Sequence, residues 1–194
     1  MSDQRDEDLV RRYVGGDRSA FGVLVERHER RVYNLALRMT GREEDARDAT
    51  QEAFLTALRK LSSFRGEAAF TTWMHRVTVN ACYDLLRKRQ RAPLLDRLPD
   101  HEIEPPPAPD HAEATVDAIV VQRALMSVTE DFRAVLILHD VQDLAYEDVA
   151  RVLDIPIGTV KSRLHRGRIA LARAMGEPVP RERSQTPEPS EGTT

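Results

Sequence analysis

Between Gly158 and Arg173 the chain carries Lys161, Arg163, Arg166 and Arg168, with Arg173 closing the stretch, and not one acid. Basic side chains at that density hold phosphates, and Ser162, His165 and Arg166 among them have the donors and acceptors that read base edges. At roughly 100° per residue, Val160, Leu164, Gly167 and Leu171 fall on one stripe. Ser162, His165 and Arg166 project from the opposite side, with Thr159, Lys161, Arg163 and Arg168 near them. A helix that packs on one side and offers such groups on the other is what a major-groove reader needs. A solvated basic helix face would explain the charge alone. The missing acids, the packing stripe and a proline-centred turn just upstream together favour DNA.

That turn is what positions the basic helix. Tyr146 to Leu153 places Val149, Val152 and Leu153 at spacings of three and four, leaving Glu147, Asp148 and Arg151 for solvent. Asp154 to Ile157 breaks the helix, because Pro156 has no N–H to donate and biases Ile155 away from helical dihedrals. Gly158 and Thr159 suit a fresh start, so a second helix is expected from about Thr159 to Met175. Helix, tight turn and helix make a helix-turn-helix.

Upstream, the periodicity is helical throughout, without strand alternation. Ser19 is placed to cap a helix that runs to about Thr40 and stops at Gly41, packing through Phe21, Leu24, Val25, Val32, Leu35 and Met39. A second helix, roughly Glu43 to Leu61, turns Ala46, Ala49, Ala53, Phe54, Ala57, Leu58 and Leu61 inward. Its polar set, Asp45, Asp48, Gln51, Glu52 and Thr56, needs no explanation beyond solubility. After the loop LSSFRGEA, Thr71 is placed to cap a third helix to about Arg91, with Trp73, Asn80 and Asp84 near one meridian and Arg87, Lys88, Arg89 and Arg91 at its end. Aromatics, an amide and a basic helix end suit single-stranded nucleic acid. Taken alone, Phe64, Phe70 and Trp73 read better as core residues, and the basic end also complements the helix macrodipole.

At 194 residues, 41% hydrophobic and 31% charged, the chain has the composition of a soluble helical protein with room for two small domains. The formal charge of -3 is unevenly spread: +4 over residues 1–92, -6 over 93–117, +1 over 118–176 and -2 over 177–194. The stretch from Pro93 to Asp110 is rich in proline and acid, so 93–114 reads as a flexible linker between domains at 1–92 and 115–176. Residues 177–194 read as a disordered tail. No run approaches transmembrane length and the N-terminus is acidic and polar, which points to the cytoplasm and against membrane insertion. Cys82 is the one cysteine, and with His75 it makes no metal set. No glycine-rich phosphate loop, nucleophile signature or cofactor motif is present, so no catalytic residue and no cofactor is expected.

Two stretches carry a family resemblance. DARDATQEAFLTALRKLSSFRGEAAFTTWMHRVTVNACYDLLRKRQR resembles region 2 of bacterial sigma factors of the extracytoplasmic-function class, and LAYEDVARVLDIPIGTVKSRLHRGR resembles their region 4. The resemblance spans roughly Asp6 to Met175, and HRVTVNACYDLLR and VQRALMSVTEDFRAV are similar to the sigma-M type of actinobacteria. It implies an all-α chain of two helical domains that directs RNA polymerase core to promoters. Asp48, Gln51 and Glu52 would then dock on the beta-prime clamp helices, with region 4 at the beta flap. Phe64 and Arg65, with Asn80, would capture a flipped base of the minus-10 element, supported by Trp73, Arg87 and Lys88. Thr159, Lys161, Ser162, Arg163, His165, Arg166 and Arg168 would read the minus-35 duplex, with His165 where an apolar or aromatic residue often stands. The acidic linker would thread toward the RNA exit path, and an anti-sigma factor is the expected regulator.

Two other functions fit part of this pattern. A stand-alone helix-turn-helix regulator would need a dimerisation helix, which the sequence does not offer. A sigma-like interaction module would have lost its DNA-facing groups, whereas Asn80, Lys161 and Arg166 are in place.

Overall fold

A computed structural model describes residues 5–66, 68–91 and 116–176; the expected linker at 93–114 and tail at 177–194 lie outside the described residues. Among the described residues every regular element is helical. The first bundle holds α1 (Asp6–Val14), α2 (Ser19–Thr40), α3 (Glu43–Lys60) and α4 (Phe70–Arg91), with a 3-10 turn at Leu61–Ser63. The second holds α5 (Val116–Ser127), α6 (Glu130–Leu136), α7 (Tyr146–Leu153) and α8 (Ile157–Ala174).

Helix α1 has acids in its first turn and Arg11 and Arg12 in its last, matching the helix dipole at both ends, and it buries Leu9, Val10 and Tyr13. Ser19 is the first residue of α2 and not its cap. Asp17 supplies the capping oxygen, its Oδ1 accepting from the Ser19 N–H at 3.1 Å and from Ser19 Oγ at 2.5 Å. The α2 helix ends as expected at Gly41, whose φ of 75° is left-handed and whose N–H returns to Leu37 O at 2.8 Å. Thr71 is likewise inside the first turn of α4, since the Trp73 N–H bonds Ala69 O and the helix begins at Phe70. In α3 the inward face is alanine, Ala46, Ala49, Ala53 and Ala57, which lets α2 and α4 approach closely. Leu58, expected inward, is 40% exposed.

Helix α6 passes into a wider turn over Ile137–Val141, where the Gln142 N–H reaches back to Ile137 O at 2.9 Å. His139 Nδ1 lies 2.8 Å from Leu144 O and its ring stacks on Tyr146 at 4.7 Å, fixing the entry of α7. Asp154, left-handed at φ 55°, closes α7. Helix α8 then starts at Ile157, two residues before the expected Thr159. Pro156 serves as the N-cap, its carbonyl accepting from the Thr159 and Val160 N–H groups; in its extended conformation just outside the helix its missing N–H costs no helical bond.

The two bundles do not have separate cores. One apolar cluster lies within the first bundle, around Leu24, Phe70 and Met74. The other joins Leu35, Leu37, Met39, Val79 and Cys82 of the first bundle to Leu125, Val135 to Leu138, Val149 and Val160 of the second. Polar side chains reinforce that seam. Arg133, 7% exposed, donates to Met39 O at 2.6 Å across it and to Leu125 O, Met126 O and Val128 O within its own bundle. Gln122 Nε2 donates to Leu37 O at 3.2 Å. Met39 O at the end of α2 is therefore capped by the second bundle, and Leu37 O, already bonded by the Gly41 N–H, gains a second donor from it. A Cβ at Gly41 would fall 2.2 Å from Met126 Sδ, so the seam also needs glycine there.

Cys82 is buried, and desolvation pushes its thiol up to about 12, so it is a packing residue without nucleophilic character at neutral pH. His75 is buried with neither ring nitrogen bonded, and burial, then Arg31 and His28, bring its pKa down to about 4. The folded chain thus holds a neutral imidazole that the unfolded chain protonates near 6.5. Its share of stability is complete above that value and is lost as pH falls from 6.5 toward 4, up to about 3 kcal/mol. Wild type should therefore lose more stability than His75→Leu over that range, read from urea midpoints at each pH. Parallel pH profiles for the two proteins would refute it.

Candidate nucleic-acid interface

On α8 the buried residues are Val160, Leu164 and Gly167, which pack against α6 so closely that a Cβ at Gly167 would lie 3.1 Å from Leu136 Cγ. That contact turns Lys161, Ser162, His165 and Arg166 to the surface as one exposed stripe. Ser162 Oγ donates to Thr159 O at 3.0 Å, and Lys161 Nζ sits 5.7 Å from the centre of the Tyr146 ring. Thr159 is half-buried at the edge of the stripe. Two of the expected basic groups have acid partners. Arg163 is turned to Asp131 of α6 at 2.7 Å, and Arg168 grips both oxygens of Asp140 at 2.6 and 3.2 Å, a bidentate pair that raises its pKa. Arg166 is exposed and makes no ion pair among the described residues. The freest cation of the stripe is thus the one best placed for a base edge.

In the first bundle, the loop after α3 brings Phe64 against α4. Phe64 stands edge-on to both Phe70 and Trp73, which are tilted to each other, with all three centroids 5.6 to 5.9 Å apart. Phe70 is buried behind them, while Phe64 and Trp73 are half-buried and wall an open cavity of about 470 Å³. Arg65, Gly66 and Arg76 complete its near side, and Arg151, Val152 and Asp154 of the second bundle stand across it. Arg76 Nη2 lies 3.9 Å from Asp154 Oδ2. Sequence reasoning passed over Arg76, although it sits one turn beyond Trp73 on the same helix.

Asn80 is not part of that cavity. It stands two turns along α4, about 10 Å further at 1.5 Å per residue, and lines a separate hollow with Glu52, Lys60, Asp84 and Arg87. Arg87 lies over the Tyr83 ring at 5.8 Å and 3.5 Å from Asp84, and Lys88 is exposed. Arg89 instead bonds Asp45 at 2.8 Å and ties α4 to α3. On the outer face of α3, Asp48, Gln51 and Glu52 are all exposed, joined by Leu55 at 43% exposure. Glu52 is held by Arg59 at 2.6 Å and Thr56 at 3.1 Å, which lowers its pKa.

Two helical bundles, one with an exposed basic helix and the other with an aromatic pocket, are the architecture of a sigma-70 type factor, and the family comparisons place the chain there. Residues 24–92 match the Sigma-70 region 2 family and residues 119–171 match Sigma-70, region 4. The chain is 42% identical over 175 residues to the ECF RNA polymerase sigma factor SigM of Mycobacterium tuberculosis, spanning 90% of this chain and 86% of that protein. It is 36% identical over 182 residues to the ECF RNA polymerase sigma-E factor of Escherichia coli, spanning 88% and 95%. The chain belongs to the extracytoplasmic-function family of RNA polymerase sigma factors. As such it directs promoter-specific initiation and is a non-catalytic subunit of the polymerase.

Solved structures share the fold. CnrH in complex with the cytosolic domain of CnrY matches with a TM-score of 0.66 at 23% identity, covering 88% of this chain and 97% of that one. RpoE in complex with the anti-sigma factor NepR from Bartonella quintana matches with a TM-score of 0.67 at 24% identity, covering 80% and 96%. Among the described residues no helix is long and apolar enough to cross a membrane.

Proposed function

We propose that the chain divides its work between a strand-capturing unit at 1–92 and a duplex-reading unit at 115–176, joined by residues 93–114 and followed by a tail at 177–194. The observation that carries this reading is the Phe64–Trp73 pocket, which offers two aromatic walls with Arg65 and Arg76 at the rim. An extruded base gains stacking there while the guanidinium groups hold its phosphates. Asn80, Arg87 and Lys88 line the path of the same strand further along α4. Lys161, Ser162, His165 and Arg166 read the minus-35 major groove, with Thr159, Arg163 and Arg168 at its edges. Arg163 and Arg168 act mainly by holding α8 to Asp131 and Asp140.

The polymerase face is the outer side of α3, Asp48, Gln51 and Glu52, on the beta-prime clamp helices, with the second bundle at the beta flap. The factor works in the cytoplasm, where an anti-sigma factor holds it inactive. An anti-sigma factor is the partner of the Bartonella relative.

Separating the two DNA contacts tests the reading. Arg166→Ala should weaken minus-35 recognition by roughly 1 to 3 kcal/mol, the worth of a bidentate base contact. Trp73→Ala should leave that contact intact and impair opening. Permanganate footprinting of the polymerase complex on linear and pre-melted promoters distinguishes them, because a bubble over the minus-10 region relieves an opening defect and not a lost groove contact. Equal rescue of both variants by the bubble would refute the division. Asn80→Ala in the same assay shows whether the amide acts with the aromatic pocket or further along the strand.

A further inference from the structure

Two ion pairs brace the basic helix of the second bundle, one on each side. Val160, Leu164 and Gly167 of α8 face inward. At about 100° per residue, Arg163 and Arg168 fall about 70° to either side of that stripe, whereas Ser162, His165 and Arg166 lie opposite it. Each flanking arginine is taken by an acid from the helix beneath. Arg163 Nη2 donates at 2.7 Å to Asp131 Oδ2, in the first turn of α6. Arg168 donates through Nε and Nη2 to both oxygens of Asp140, at 3.2 and 2.6 Å, in the wide turn that follows α6. Asp140 stands one turn beyond Leu136, the side chain against which Gly167 packs. All four charged groups belong to the second bundle.

The apolar contact between the two pairs does little to fix the rotation of α8 about its own axis. Gly167 lets α6 approach until a Cβ would meet Leu136 Cγ at 3.1 Å and Phe132 Cβ at 3.4 Å, but a glycine has no side chain to lock into a groove. Rotation matters on the far side of the helix. A roll of about 20° on an outer radius of about 5 to 6 Å carries a side-chain tip about 2 Å, several times the tolerance of about 0.5 Å for a binding constellation. Exposed ion pairs contribute little to stability, and with Asp131 55% and Arg168 54% exposed the consequence of these pairs is geometric. The two-bonded fork of Arg168 restrains α8 more than the single bond of Arg163.

We propose that Asp140, acting through Arg168, is a positioning residue for minus-35 recognition: it sets the roll of α8 that aims Ser162, His165 and Arg166, and it keeps Arg168 off the phosphates of unrelated duplex. Asp131 acts in the same way through Arg163, with a weaker hold. The assignment rests on the duplex-reading role given to α8 above. Specificity is a difference of affinities, and both effects widen it. Aimed groups favour the right sequence, and a masked cation withholds affinity from the wrong one.

The test uses the full chain assembled with core polymerase. Wild type first selects its own minus-35 sequence from duplexes randomised upstream of a fixed, pre-melted minus-10 region, and affinities for the selected and a scrambled duplex are then measured across a salt series. Asp140→Asn should narrow the ratio of the two affinities roughly fivefold, the low end of the worth of one bidentate base contact. Its binding to the scrambled duplex should rise, with a salt slope steeper by about 0.9, which is one phosphate contact more. Arg168→Gln should narrow the ratio without steepening the slope, and Asp140→Glu should keep both near wild type. Asp131→Asn should narrow the ratio by less.

Partial unfolding would weaken both duplexes alike and leave the ratio untouched, so the ratio separates aiming from stability. A wild-type ratio in either Asp140→Asn or Arg168→Gln refutes the proposal. A loss of binding to both duplexes in Arg168→Gln, with a slope shallower by about one contact, would make Arg168 a phosphate ligand in its own right and also overturn it. If Arg166→Ala discriminates the two duplexes as wild type does, the duplex-reading role of α8 itself fails, an outcome separate from either.

Discussion

Replacing Arg133 with methionine should destabilise the chain by on the order of 3 to 5 kcal/mol, the largest stability effect expected of any single side chain here. Four backbone carbonyls, of Met39, Leu125, Met126 and Val128, receive hydrogen bonds from this one guanidinium. Burial lowers its pKa, but an arginine remains charged at any pH of interest, and each bond is therefore charge-assisted. Methionine keeps much of the apolar packing and removes every donor; Leu125 O keeps the Val128 N–H, while Met39 O, Met126 O and Val128 O lose a charge-assisted partner in a dry environment.

Gln122→Leu is the contrasting case. It deletes one donor to Leu37 O together with an Oε1 that is already buried without a partner, so the two losses offset and the change should stay within about 1 kcal/mol. Urea denaturation of the two variants beside wild type gives the comparison. If Arg133→Met falls as little as Gln122→Leu, the guanidinium network is not what closes the seam.

Arg133 also marks the limit of what periodicity conveys. Its Met39 partner is 94 residues away, and nothing in the local pattern of EDFRAVL distinguishes it from a solvated arginine. The same limit hid the partners of Arg163 and Arg168, which lie 32 and 28 residues upstream. By contrast, the helix-turn-helix was legible because its signals are local: a proline that forbids helix and an apolar stripe at spacings of three and four. Even there α8 begins at Ile157, two residues before the expected Thr159, since a proline that breaks α7 can itself cap the next helix and shorten the turn.

Site residues divided along the same line. Phe64, Arg65 and Trp73 meet because a short loop returns the chain directly onto α4. Asn80 shares the meridian of Trp73 in projection but is displaced along the axis, a distance that a helical wheel cannot express. The basic stripe of α2, Arg27, Arg30 and Arg31, is exposed and reads as an ordinary solvent face; only the packing of α1 and α4 shows that it borders a hollow. Leu58 is exposed for a simpler reason: it lies about 100° round the helix from Ala57, whose stripe of Ala46, Ala49 and Ala53 is the face that packs.

The double substitution Asp48→Arg with Gln51→Ala should abolish binding to core polymerase, a loss of at least about a hundredfold if these residues form the centre of the contact. Asp48, Gln51, Glu52 and Leu55 recur at spacings of three and four on the outward side of α3, while Ala46, Ala49, Ala53 and Ala57 hold the inward side. Neither Asp48 nor Gln51 makes a side-chain hydrogen bond or ion pair among the described residues, and an exposed leucine beside a carboxylate and an amide is the composition of a docking stripe. Reversing the charge at position 48 introduces repulsion toward a basic partner surface, which costs more than deletion alone. Glu52 is the weaker candidate of the three, because Arg59 and Thr56 already occupy its carboxylate. Glu52→Gln should accordingly reduce core binding by much less than the double variant. The comparison is a pull-down of core by tagged full-length chain, with circular dichroism to confirm unchanged helicity. Wild-type recovery of core by the double variant would remove α3 from the interface, and a cooperative loss of helix signal would show that the outer face serves the fold instead.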